Sequence, residues 1–173
     1  MQERHLSFSQ SLAGVPSPDQ AIYVMLLGGI CAANDAKVEA LAYDFFQQAF
    51  LLYEEGLGDQ RSRIAGLHAL VAALGRTGIF SEENRATLCH QVTGYAGLML
   101  RKVDQATAAL VCSHMYWCDP EDGTSAVRQG AKVIDCLGRA IKASRAAKDQ
   151  SIHAGRASTD TEHIHVLLDI LNK

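Results

Sequence analysis

The sequence is short of proline, of positive charge and of long apolar runs, and each shortage closes off a class of protein. Only three prolines occur in 173 residues, at Pro16, Pro18 and Pro120. Nothing therefore removes a backbone donor or forces a break across the long segments between them, which favours helices. Lys and Arg number 16 against 19 Asp and Glu, a formal charge of -3. Such a chain lacks the broad basic field of a nucleic-acid or membrane-surface binder. No apolar stretch reaches the roughly 18 to 20 residues that a bilayer span needs, and the opening MQERHLSFSQ is too polar for a secretory signal core. The sequences GxSxG, HExxH, GxxxxGKS/T and GxGxxG are also missing, so the usual markers of hydrolases, metalloproteases and nucleotide sites are not there. The expectation is a soluble, intracellular, non-enzymatic chain with no cofactor, no nucleic acid and no direct membrane insertion.

What is present is apolar spacing of three and four, in a chain that is 48% hydrophobic. The alternation of a half-buried strand is hard to find, so six or seven helices and no convincing strand are expected. Residues 1–18 read as a poorly ordered segment or partial helix. The first secure helix follows Pro18, with Asp19 as its cap and AIYVMLLGGICAA as its body, weakened by Gly28 and Gly29. The second runs from about Lys37 to Glu55, with Val38, Leu41, Phe45, Ala49 and Leu52 on one face, widened by Phe46, Phe50 and Tyr53. The third starts after Asp59. The fourth is capped by Ser81, with Glu82 and Glu83 at its positive end, and runs to Arg101. The fifth spans Asp104 to Trp117, the sixth Ala126 to Lys148, and the seventh starts near Thr161.

Alternate helices are expected to begin near Lys37, Ser81 and Ala126, 44 and 45 residues apart, and the intervening ones near Asp59 and Asp104, 45 apart. That period is typical of HEAT-like helical hairpins, whose faces are buried only by stacking on their neighbours. The fold class is thus an all-α, α-solenoid of antiparallel hairpins over residues 19–173, with a loop insertion near 149–160. A compact helical bundle is the alternative.

Chemistry-bearing residues concentrate in CSHMYWCD, Cys112 to Asp119. On a continuous helix His114 and Cys118 share a face, four residues apart, while Cys112 lies about 200° from His114. A zinc site would need two further ligands, and the adjacent Cys89 and His90 point to different faces. The five cysteines, scattered and odd in number, read as reduced and mostly buried thiols. A small metal- or thiol-dependent enzyme around Cys112, His114 and Cys118 is the competing function, and a truncated non-functional fragment is another. His114 with Tyr116 and Trp117 reads equally as packing or as an anchoring ridge for a protein partner. Arg128, Lys132, Arg139 and Lys142 form a basic stripe, with Asp135 placed to pair with Arg139. It reads as a solvated face or a contact for an acidic partner.

Several stretches in order, AYDFFQQAFLLYEE, FSEEN, KVDQ, CSHMYW and GAKVIDCLGRAIKAS, together resemble the C-terminal part of the retromer scaffold family, vacuolar protein sorting-associated protein 35. The match covers about Ile22 to Ser144 and resumes at LLDILNK. The resemblance implies a non-catalytic α-solenoid that wraps the small phosphoesterase-like subunit, vacuolar protein sorting-associated protein 29, and acts in endosomal protein sorting. It would then be cytoplasmic and peripheral on endosome membranes through the complex. It also implies that His114 grips that subunit, with Tyr116 and Trp117 beside it, and that the exposed loop containing Asp59 serves accessory endosomal factors. Functions of the family's N-terminal half are not carried over. The family pattern continues past Asn172 and Lys173 into further helices, so a fragment or truncated product with an uncapped solenoid end is expected.

Overall fold

The computed structural model describes residues 17–121, 123–153 and 162–172. Seven α-helices account for most of them: α1 (Pro18–Asn34), α2 (Glu39–Gly56), α3 (Gln60–Arg76), α4 (Glu82–Gly97), α5 (Lys102–Cys112), α6 (Gly130–His153) and α7 (Glu162–Leu171). Successive helices pair as hairpins, α1 with α2, α3 with α4 and α5 with α6. Across hairpins α3 packs on both α1 and α5, and α5 on α7. The odd-numbered helices thus line one layer and α2, α4 and α6 the other, a solenoid-like stack with its core between the layers. One apolar cluster runs from Ile22 in α1 to Cys136 in α6, and a smaller one joins α5, α6 and α7 through Ala106, Leu110, Ala140 and Val166.

The residues that stack the repeats were visible in the apolar pattern of α2. Phe46, Phe50 and Tyr53 are all but fully buried, each worth roughly 1.5–3 kcal/mol of transfer energy. Their rings reach the next hairpin: Phe46 meets Phe80 edge-on at 5.4 Å, Phe50 meets Tyr95 at 5.9 Å, and Tyr53 lies tilted against Tyr95 at 4.6 Å. Polar lashings reinforce them. Glu39 accepts hydrogen bonds from Ser81 N (2.7 Å) and Asn84 Nδ2 (2.8 Å), while the Tyr95 hydroxyl donates to Glu54 at 2.5 Å. Gly28 and Gly29, which weaken α1 by propensity, have a packing use. A Cβ at Gly28 would stand 2.8 Å from the Phe45 ring and one at Gly29 3.0 Å from Phe46, so the close α1–α2 approach needs their absence.

The structure corrects the expected boundaries in several places. The cap position of α1 is Ser17, not Asp19, because Pro18 suits the first helical position; the Ser17 hydroxyl donates to Asp19 at 2.7 Å. Helix α4 stops at Gly97 and α5 at Cys112, short of Arg101 and Trp117. A strand pair exists where none was expected: β1 (Trp117–Cys118) and β2 (Val127–Arg128) are antiparallel, so α6 opens at Gly130 rather than Ala126. Of the loop expected at 149–160, residues 149–153 are helical and 154–160 lie outside the described residues, as do residues 1–16. The capping expectation at Ser81 holds, and the start of α3 after Asp59 is capped in the same way. Asp59 accepts from Ser62 N and Ser81 from Asn84 N. Among the described residues no helix is long and apolar enough to cross a membrane.

Candidate functional site

Helix α5 has 11 residues, and at its end the chain tightens into a 3₁₀ turn, Ser113–Tyr116, closed by the Trp117 N–H on the His114 carbonyl. Side chains three apart eclipse in a 3₁₀ helix. Exposure along CSHMYW obeys that period: Cys112, Ser113, Met115 and Tyr116 are buried, whereas His114 and Trp117 face outward. The expected ridge is therefore a pair. Leu110, four residues before His114, is buried in the second apolar cluster. Tyr116 supports the ridge from inside, its hydroxyl 3.2 Å from that of Thr93 and its pKa pushed up to about 12 by burial.

Trp117 is 56% exposed and opens β1. Directly opposite it in β2 stands Arg128, whose guanidinium lies 5.1 Å from the indole centroid. The same guanidinium donates to the carbonyls of Cys118 (2.8 Å) and Val127 (2.9 Å) and pairs with Asp119 at 2.5 Å. The loop after β1 is tied back to α3 by Arg76, which pairs with Glu121 at 2.9 Å while its carbonyl accepts the Glu121 N–H.

Underneath sits Arg85, 7% exposed. It donates to the carbonyls of Leu74 (3.2 Å), Thr77 (2.7 Å) and Met115 (2.8 Å). A cation at the last turn of α3 is favourable to that helix's dipole, and the bond to Met115 fixes the 3₁₀ turn against it. Arg85 was missed as a site residue. The available signal was its register, three residues before inward-facing Leu88 on an otherwise apolar face.

The metal and thiol readings lose their geometric basis here. They placed His114 and Cys118 on one helical face, but Cys118 lies in a strand. Its thiol is 3.7 Å from the Met115 carbonyl and accepts from Arg85 at 3.5 Å. Among the described residues no three His, Cys, Asp or Glu side chains are placed to hold a metal. Burial raises the thiols of Cys112, Cys118 and Cys136 and pushes Cys89 up to about 11, the opposite of what an attacking thiolate requires. Cys31 alone among the five is exposed.

Asp59 is exposed, and its carboxylate is engaged as the cap of α3. The ridge lies at the other end of that 17-residue helix, roughly 25 Å away at 1.5 Å per residue. The basic stripe also divides. Arg128 turns onto Trp117, and Arg139 pairs with Asp135 at 3.0 Å. Arg139 and Lys142, with Lys102, rim a hollow of about 280 Å³ between α4, α5 and α6 whose lining includes Ala96, Ala109 and Ala143. Lys132 and His90 border a second hollow of about 160 Å³ above Tyr116.

A family model described as vacuolar protein sorting-associated protein 35 matches residues 4–173, a span that contains every element of this ridge. The chain belongs to the vacuolar protein sorting-associated protein 35 family. Among curated relatives it is 40% identical over 164 residues to vacuolar protein sorting-associated protein 35B of Arabidopsis thaliana, covering 94% of this chain and 20% of that protein. Protein 35A of the same plant is 37% identical over 164 residues, 95% of this chain and 20% of the relative. The Schizosaccharomyces pombe protein 35 is 34% identical over 119 residues, 68% of this chain and 14% of the relative. The chain thus spans about a fifth of the plant relatives it matches. Within this family segment, the features that sequence reading missed, Arg85 and the Trp117–Arg128 pair, both act on the stretch where α5 gives way to the 3₁₀ turn.

Proposed function

We propose that this segment is a non-enzymatic scaffold element of retromer in endosomal protein sorting. It binds the small phosphoesterase-like subunit, vacuolar protein sorting-associated protein 29, through His114 and Trp117, with Tyr116 as their internal support. The observation that supports this most is the period-three exposure of CSHMYW. A large aromatic and a histidine stand together on a corner braced from below by Arg85, and large anchors on a fixed base carry most of the energy in protein interfaces. The family match supplies the setting. The Asp59 loop, at the far end of α3, is proposed as a separate contact for accessory endosomal factors.

A pulldown of this chain with the purified small subunit tests the reading. His114→Arg and Trp117→Ala are each expected to weaken capture by about tenfold or more, the effect of losing an interface anchor, while circular dichroism stays helical. Full-strength capture by both variants would remove the ridge from the interface. The thiol alternative has the raised pKa values of Cys89, Cys112, Cys118 and Cys136 against it.

A further inference from the structure

We infer that Arg128 is a positioning residue for the Trp117 anchor, holding the indole in its binding orientation before a partner arrives. The inference rests on the ridge reading above. Its basis is a cross-strand pair: the two-residue ladder puts Trp117 and Arg128 in direct register, so their side chains share one face. The guanidinium stands 5.1 Å from the indole centroid, within cation–π range.

Arg128 is itself held on several sides. It donates to the carbonyls of Cys118 and Val127 and pairs with Asp119. Three acceptors on a planar fork orient the plane of the cation as well as its place, which a lysine ammonium cannot reproduce. The Gln129 N–H on the Tyr116 carbonyl at 2.9 Å then ties the strand pair to the 3₁₀ turn. Yet Trp117 remains 56% exposed. The ring is braced without being covered, so a partner does not bear the cost of ordering it.

None of the stripe residues Lys132, Arg139 and Lys142 faces Trp117 in this way. Arg128 was read with them as part of one basic face, but the strand pairing turns it away from that stripe. Its consequence for recognition is that the ridge presents an aromatic surface with a fixed positive edge rather than a loose indole.

Trp117 is the chain's only tryptophan, so its fluorescence reports the brace directly. Acrylamide quenching of the isolated chain is measured for wild type, Arg128→Ala and Arg128→Lys, and calorimetric binding to the small subunit for these three and Trp117→Ala. Arg128→Ala is expected to raise the quenching constant measurably and weaken binding by about two- to fivefold, the scale of an exposed cation–π contact, with an unchanged melting midpoint. Arg128→Lys should recover part of the binding but not the quenching protection. Unchanged quenching in Arg128→Ala would show that the guanidinium does not brace the ring. Raised quenching with unchanged affinity, while Trp117→Ala binds poorly, would overturn the positioning role and leave the ridge standing. Full affinity in Trp117→Ala would sink the ridge reading and the inference that rests on it.

Discussion

The seam between α2 and α4 and the seam between α4 and α6 occupy equivalent places in successive repeats, yet they are built differently. The first is filled by rings, Phe46, Phe50, Tyr53, Phe80 and Tyr95, and bound at both ends by Glu39 and Glu54. The second is lined by small residues, among them Ala86, Gly94, Ala96, Cys136 and Ala143, together with polar ones such as Gln105, Arg139 and Lys142, and leaves hollows of about 280 and 160 Å³. Side-chain volume therefore differs where the helical scaffold repeats. The second seam is held through α5 and through the Arg85 corner instead, and that corner carries the ridge. The ring-filled seam and the proposed recognition ridge thus lie at different seams of one array.

Three measurements would break or sharpen that contrast. The largest effect is expected from Tyr95→Ala, which removes the ring at the centre of the first seam and should cost about 3–5 kcal/mol in chemical denaturation. A loss near zero would mean the rings do not hold the repeats together. A smaller effect, under about 1 kcal/mol at neutral pH, is expected from Glu39→Gln, since a partly exposed carboxylate is well screened. Its pH dependence is the sharper readout. The Ser81 N–H, followed by the Asn84 amide, holds the Glu39 carboxyl below its ordinary value near 4.5. A depressed carboxyl contributes stability above that value and loses it as pH falls through the folded one. Wild type and variant should therefore converge in urea midpoint as pH falls from the ordinary carboxyl value through the depressed folded one, and a gap that persists below it would exclude charge as its origin. The smallest effect belongs to the second seam: Ala143→Leu grows into an existing hollow and should change stability by about 0.5 kcal/mol or less. A cost comparable to that of Tyr95→Ala would show the seam to be closely packed.

The ridge illustrates how far the sequence could be read. CSHMYW was legible as the stretch to examine, and His114, Tyr116 and Trp117 as candidate anchors, because their residue types are unusual among small apolar neighbours. Tyr116 could not be separated from them by type. Only the change from 3.6 to 3.0 residues per turn at Ser113 sends it inward while eclipsing the other two. A helix extended through Trp117 was the natural expectation, since nothing before Asp119 and Pro120 forbids it locally. Arg85 was harder still. Its acceptor on Met115 is 30 residues away in sequence, and no local pattern encodes that distance.

By itself the sequence determined the helices, their order, the cap at Ser81 and the repeating hairpin architecture. These depend on apolar spacing and on side chains bonding to backbone a few residues away, interactions that are complete within one element. Tertiary structure decided the 3₁₀ turn, the Trp117–Arg128 pairing, the burial of Arg85 and the division between a filled and a hollow seam. Each of these joins residues from different elements. Their energies arise only when the elements meet, through desolvation of a charge, register between two short strands, or the volume left between facing helices.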